Sequence, residues 1–299
     1  MNGLAKVFLL FNERHRPQRN RRVHRSVLVY PFILLLISPG FGFSAAAGAA
    51  DQYFLGVFPY LPSRELEAAF SPIAADFAQR IDKPVRFRTA STYGKYIERL
   101  TEQKYDITFM QPFDYVYAAD NFGYLPLAVR DEPLSAILVV NSDSTASKVM
   151  DLRGKTVALP PETAAVSRLA KVMFSKMGMI PDRDIHFIHT RSHGECLQKV
   201  LIKAVDSCGS AAPALRFFQK KMGSDMRVIG ESVAIPHSLF AVHPRVPQAE
   251  REKIQAAILE WQHSDSGREL LSRGALKPFR SIIDSEYDVV RQMMKDENK

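Results

Sequence analysis

From Asp51 onward, short runs of β-branched and aromatic residues alternate with longer segments whose apolar side chains recur every three to four positions. This alternation restricts the chain to an α/β fold with largely parallel strands, because each helix must carry the chain back across a sheet before the next strand begins. Residues 53–58 read as a first strand. Pro59-Tyr60-Leu61-Pro62-Ser63 then turns the chain into a helix ending near Ile81, with Leu66, Ala69, Phe70, Ile73 and Phe77 on its inner face. A strand over 85–89, a helix over 93–103 and a strand over 106–110 continue the series. The purely apolar run 136–140 is a further strand, and the polar Asn141-Ser142-Asp143-Ser144-Thr145 after it suits a crossing.

A second series follows, with strands over 157–159 and 185–189 and helices over 163–177 and 194–204. Residues 239–242 read as a strand returning to the first series, and the chain from Gln248 is mostly helical. Trp261, the single tryptophan, lies beside Ile258 and Leu259 and reads as packing. No internal repeat, heptad run or low-complexity tract is visible after the leader.

The net charge of +8 suggests a nucleic-acid partner until it is located. Seven basic residues and one acid precede Val27, which leaves +2 for the rest of the chain and no basic stripe with interleaved aromatics. A nucleic-acid role is therefore excluded. The basic stretch precedes an uncharged apolar run over 27–43 and a small-residue stretch, Ser44-Ala45-Ala46-Ala47-Gly48-Ala49-Ala50. That order is a secretory signal with cleavage before Asp51, which places the mature protein in the periplasm. The alternative is a retained membrane anchor, which Pro31, Pro39, Gly40 and Gly42 disfavour by interrupting the run.

Cys196 and Cys208 are the two cysteines. Export would put them in an oxidising compartment, where a disulfide closing so short a loop adds roughly 3 kcal/mol by constraining the unfolded chain. Two buried free thiols are the alternative reading. The search for catalytic patterns finds no nucleophile elbow, zinc-type histidine pair or phosphate-binding loop; Gly154-Lys155-Thr156 lacks the upstream glycine of a P-loop. The chain thus reads as non-enzymatic, without cofactor or metal.

Several motifs carry a family resemblance, in order, over residues 53–290. Asp106-Ile107-Thr108-Phe109-Met110-Gln111-Pro112-Phe113-Asp114-Tyr115 and Asp151-Leu152-Arg153-Gly154-Lys155-Thr156-Val157-Ala158 are two of them. Ser91-Thr92-Tyr93, Ser192-His193 and the stretch 279–288 are the others. Together they resemble the phosphate/phosphite/phosphonate substrate-binding proteins of ABC transporters. The resemblance implies a type II periplasmic-binding-protein-like fold, with two lobes, each a mostly parallel sheet flanked by helices, and two hinge crossings. On that plan residues 1–50 are the signal peptide, 51–140 and 233–299 form the first lobe, and 141–232 form the second. It further implies a small oxyanion ligand held between the lobes, a permease as partner and a monomer; the alternative partner is a membrane sensor such as a histidine kinase or cyclase.

The ligand residues that follow from the resemblance are Tyr93, Thr163 and His193 as hydrogen-bond donors. Gln111, Pro112, Ala164 and Ser192 flank them, and Tyr60 and Tyr115 are placed either at the cleft or in packing. The helix beginning near Thr163 is expected to aim its free N–H groups and positive dipole end at the anion. The chain departs from the family at Pro213 and His237-Ser238, where an amine-binding set would be sought, at Pro133, where the family has a tyrosine, and at Glu162, an acid beside the expected anion.

Overall fold

A computed structural model describes residues 52–297; the leader and its cleavage site lie outside the described residues. The first series comprises β1 (Tyr53–Val57), α1 (Ser63–Ile81), β2 (Val85–Arg88), α2 (Tyr93–Thr101), β3 (Ile107–Met110), α3 (Pro112–Phe122) and β4 (Leu125–Arg130). The second comprises β5 (Ile137–Asn141), β6 (Thr156–Leu159), α4 (Ala165–Lys176), β7 (His186–His189), α5 (His193–Leu201), β8 (Ser207–Ser210), α6 (Ala212–Met222) and β9 (Met226–Glu231). β10 (Leu239–Val242), α7 (Gln248–Glu260), α8 (Asp265–Arg273), β11 (Phe279–Ser281) and α9 (Asp288–Glu297) complete the chain.

One sheet has the order β11-β4-β10-β3-β1-β2, the other β7-β6-β8-β5-β9. Both are mixed rather than mostly parallel. β1 runs parallel to β2 and β3, and β6 to β7 and β8, but β10 is antiparallel to β3 and β4, and β5 to β8 and β9. The reason is entry direction: a strand arriving from the other sheet enters at the carboxyl end of the parallel strands and so runs against them. β11 is likewise antiparallel to β4.

Residues 137–141 belong to the second sheet, not the first. The crossing therefore precedes them, at residues 131–136, and the return runs through 232–238. Reciprocal backbone bonds between Leu134 and Ile235, 2.8 and 3.0 Å, tie the two crossings together. The polar 141–145 stretch is instead a turn, held where the Arg227 guanidinium donates to the carbonyls of Ser142, Ser144 and Ala146. Polarity alone does not separate a hinge from an edge turn, since both are solvated.

The first sheet's core is aromatic. Phe70 and Phe77 from α1 meet Phe109, Phe240, Phe279 and Trp261, with Trp261 stacked on Phe77 at 5.7 Å and its indole N–H donating to Asp76. Trp261 is packing, as its neighbours suggested.

The two series repeat at a spacing of 100 residues. Thr92 and Ser192 cap α2 and α5 by accepting from the backbone N–H three residues on. Gln103 and Lys203 take left-handed conformations at φ 55° and 58°. Asp106 and Asp206 accept from Phe54 N–H and Thr156 N–H, locking β3 to β1 and β8 to β6. Gly123 and Gly223 end α3 and α6 at φ 71° and 60°, a conformation that favours glycine. The repeat escapes a scan of the sequence because it lives in caps, turns and one locking carboxylate, while the core residues between them differ.

Cys196 of α5 and Cys208 of β8 form a disulfide, both fully buried. Titration of the denatured, unreduced protein should find no reactive thiol, and the Cys196→Ser/Cys208→Ser double variant should lose about 2–4 kcal/mol in denaturant melts. Two titratable thiols in the native preparation would contradict this pairing.

Candidate functional site

The strand order places the ends of β1, β3 and β4 on one side, and of β6, β7 and β8 on the other, at a junction crossed by hydrogen bonds. The Gln111 side chain, which follows β3, donates from Nε2 to the Thr163 carbonyl (3.0 Å) and accepts at Oε1 from Ala165 N–H (2.9 Å). Carboxyl ends of parallel strands, where the chain turns into a helix, are the usual place for ligands in open α/β sheets.

Ala165 is the first residue of α4, so Gln111 satisfies one of the donors that a helix start leaves free. Ala164 is the cap residue, without a side-chain cap, and its own N–H donates to Pro161. The Thr163 hydroxyl makes no hydrogen bond within the described residues. Glu162 is exposed and its carboxylate is drawn to Lys171 at 3.3 Å, which leaves the helix start uncompensated by an acid. A second tie crosses the junction where Arg168 of α4 lies over the Phe113 ring, 4.2 Å from its centroid, and forms a bidentate pair with Glu297.

Tyr93 opens α2 and donates its hydroxyl to Asp114, the third residue of α3. The proton expected for a ligand is thus committed to a carboxylate. Burial, then the neighbouring Asp114 charge, raises the Tyr93 phenol well above its ordinary range. Asp114 is itself buried, and burial pushes its pKa up to about 7 despite the Tyr93 hydrogen bond and the nearby Gln111 amides. Its Oδ2 is enclosed without a hydrogen-bond partner among the described residues.

Across the junction His193 opens α5, with Nδ1 2.9 Å from the Ser210 hydroxyl. Burial lowers its pKa to about 4, so the ring is neutral at physiological pH. Ser192 is exposed, and its hydroxyl is engaged in the cap. Pro112 is buried at the first turn of α3, where a missing N–H costs nothing. Tyr60 lies over the Phe58 ring at 4.8 Å and stays 38% exposed.

Tyr115 is not at the junction. It is fully buried against Tyr287, with ring centroids 4.7 Å apart, and donates to Asp284. One residue of helical phase from Asp114 turns it toward residues 284–287, just before α9, so it is removed from the candidate ligand set.

Three polar side chains near the junction were not among the expected ligand residues. Arg130 ends β4, pairs with Glu132 and leaves a buried Nε without a partner. His237 approaches Glu132 at 3.9 Å, and burial with the Arg130 charge lowers its pKa to about 3. Asp114 is the third, and it did leave a signal: a lone acid between Phe113 and Tyr115 in an otherwise apolar run.

The Asp114 shift has a consequence for stability. An ordinary aspartate ionises near 3.8, whereas the folded Asp114 keeps its proton to about 7, so the folded state binds more protons across that window and is disfavoured as pH rises. Asp114→Asn should therefore gain stability over wild type by roughly 1.4 kcal/mol for each pH unit between 4 and 7. Melting curves of both proteins at several pH values test this; parallel curves would refute it.

Solved structures of similar fold include the XAC2383 protein of Xanthomonas citri, described with bound ATP. It aligns with a TM-score of 0.71 at 14% identity, over 82% of this chain and 96% of that one. PhnD1 of Prochlorococcus marinus, in complex with methylphosphonate, aligns with a TM-score of 0.69 at 15% identity, over 83% and 99%. A binding-protein component of an ABC phosphonate transporter from Pseudomonas aeruginosa gives 0.66 at 17%, over 81% and 85%. At these identities the likeness shows the fold, the α/β type II periplasmic-binding-protein architecture with two mixed sheets. Residues 55–287 match the family described as ABC transporter, phosphonate, periplasmic substrate-binding protein, and this chain belongs to that family.

Proposed function

We propose that this protein captures a small phosphorus oxyanion at the start of α4, between the two sheets, and releases it unchanged to its permease. Family membership makes it a periplasmic receptor for a small molecule that works with a membrane transporter. The finer reading adds a monomer exported by its leader, with no nucleic-acid partner and no catalysis of its own.

The observation that carries this reading is the Gln111 carboxamide on Ala165 N–H. A neutral acceptor from one sheet occupies a helix-start donor of the other, the geometry in which an oxyanion gains most from fixed N–H groups and the dipole. An arriving oxygen would replace Oε1 there, with the unbonded Thr163 hydroxyl and neutral His193 beside it as further donors. Fixed donors replacing water would give selectivity without covalent chemistry.

The Ser210–His193 contact superficially resembles a nucleophile and its base. Ser210 is fully buried, and a histidine whose pKa is about 4 is a weak base at neutral pH. The pair therefore supports a binding role.

The purified protein should be screened by thermal shift against phosphate, phosphite, methylphosphonate, an aminoalkylphosphonate and sulfate. Ligand at 100 times its Kd should stabilise by about 2.7 kcal/mol. Thr163→Ala should weaken binding about tenfold, the value of one hydrogen bond to a charged group. A screen in which no phosphorus oxyanion shifts the melt would overturn the proposal. A second variant, Tyr115→Phe, should leave ligand affinity unchanged while lowering stability by about 1 kcal/mol through loss of the Asp284 bond; altered affinity with intact folding would return Tyr115 to the site.

A further inference from the structure

Among the described residues, Asp114 is the one buried carboxyl at the junction that the binding reading leaves unused, and it sits where an anion should be repelled. It is 6% exposed; Tyr93 of α2 donates to its Oδ1, and Oδ2 is buried with no hydrogen-bond partner among the described residues. Three residues before it, Gln111 reaches across to the start of α4.

The charged and titratable groups facing Asp114 are few. From α2 come Tyr93 and Tyr96, whose hydroxyl is shared with Thr108. From α4 comes Arg168, whose guanidinium is already paired with Glu297 of α9. From the cap of α3 the Gln111 amides lie near it. No base is dedicated to neutralising this acid.

We propose that Asp114 is a specificity-determining residue that shares one proton with the bound oxyanion, its free Oδ2 supplying one partner of that hydrogen bond. This rests on the reading that the anion binds at the start of α4. Two negative groups in a water-poor junction cannot both remain ionised, so one proton enters with the ligand, whichever of the two carries it. A site built this way prefers an anion that can share a proton. It also couples capture to pH, because a carboxyl that ionises near neutrality is loaded below pH 7 and must be reloaded above it.

The test is calorimetric titration of methylphosphonate into wild-type protein and Asp114→Asn, in buffers of differing ionisation enthalpy at pH 6 and pH 8. At pH 8 wild type should take up about one proton per ligand more than the variant; at pH 6 the two should be nearly alike. Wild-type affinity should fall up to about tenfold per pH unit above 7, relative to the variant. Zero uptake by wild type at pH 8 overturns the assignment even if the variant does not fold, and so does equal uptake by both proteins. In either of those cases the receptor reading survives. Failure of wild type to bind methylphosphonate, phosphite or phosphate at any pH overturns the receptor reading and this assignment together.

Discussion

The structure depends on the direction in which the chain passes between its two sheets. β5 and β10 each join a sheet containing parallel strands, and each lies antiparallel to them, β5 beside β8 and β10 beside β3. Because both crossings run close together and are joined at Leu134 and Ile235, the carboxyl ends of the two strand sets are held on facing sides of one junction. Every group discussed as a ligand donor owes its position to that constraint. Thr163 and His193 follow strands of one sheet and Ser210 ends a third, while Tyr60, Tyr93 and Gln111 follow strands of the other.

Burial then decides which of these groups carry charge. His193 and His237 are held neutral because a charged ring would lose its hydration with little in return. Asp114 is held near half-ionisation by the same loss, only partly offset by Tyr93. Glu162, an acid next to the helix start in sequence, is exposed and paired with Lys171, so it adds little field there. The junction therefore sets neutral donors beside full charges that are held in pairs, Arg130 with Glu132 and Arg168 with Glu297.

The repeated design shows how the same backbone solution tolerates different chemistry. Tyr93 and His193 stand at the first helical position of α2 and α5, each following a hydroxyl cap, yet one donates to a buried carboxyl and the other faces a buried serine. Asp106 and Asp206 lock equivalent strand pairs. Where the backbone demands a residue type the two halves agree; where the side chain meets its neighbours they diverge.

The sequence by itself determined the α/β class, the bounds of α1 and β10, the packing role of Trp261 and the residue that opens α2. These depend on local periodicity, capping chemistry and apolar runs, all of which act over a few neighbouring residues. The disulfide was legible too, given an oxidising compartment. Only the tertiary structure decided that β5 belongs to the second sheet, that Tyr115 is core, that Gln111 bridges to Ala165, and that Asp114 lacks a partner for one oxygen. The physical reason is distance along the chain: Gln111 and Ala165 are 54 residues apart, Tyr115 and Asp284 are 169 apart, and no local pattern encodes which remote surface a side chain will meet.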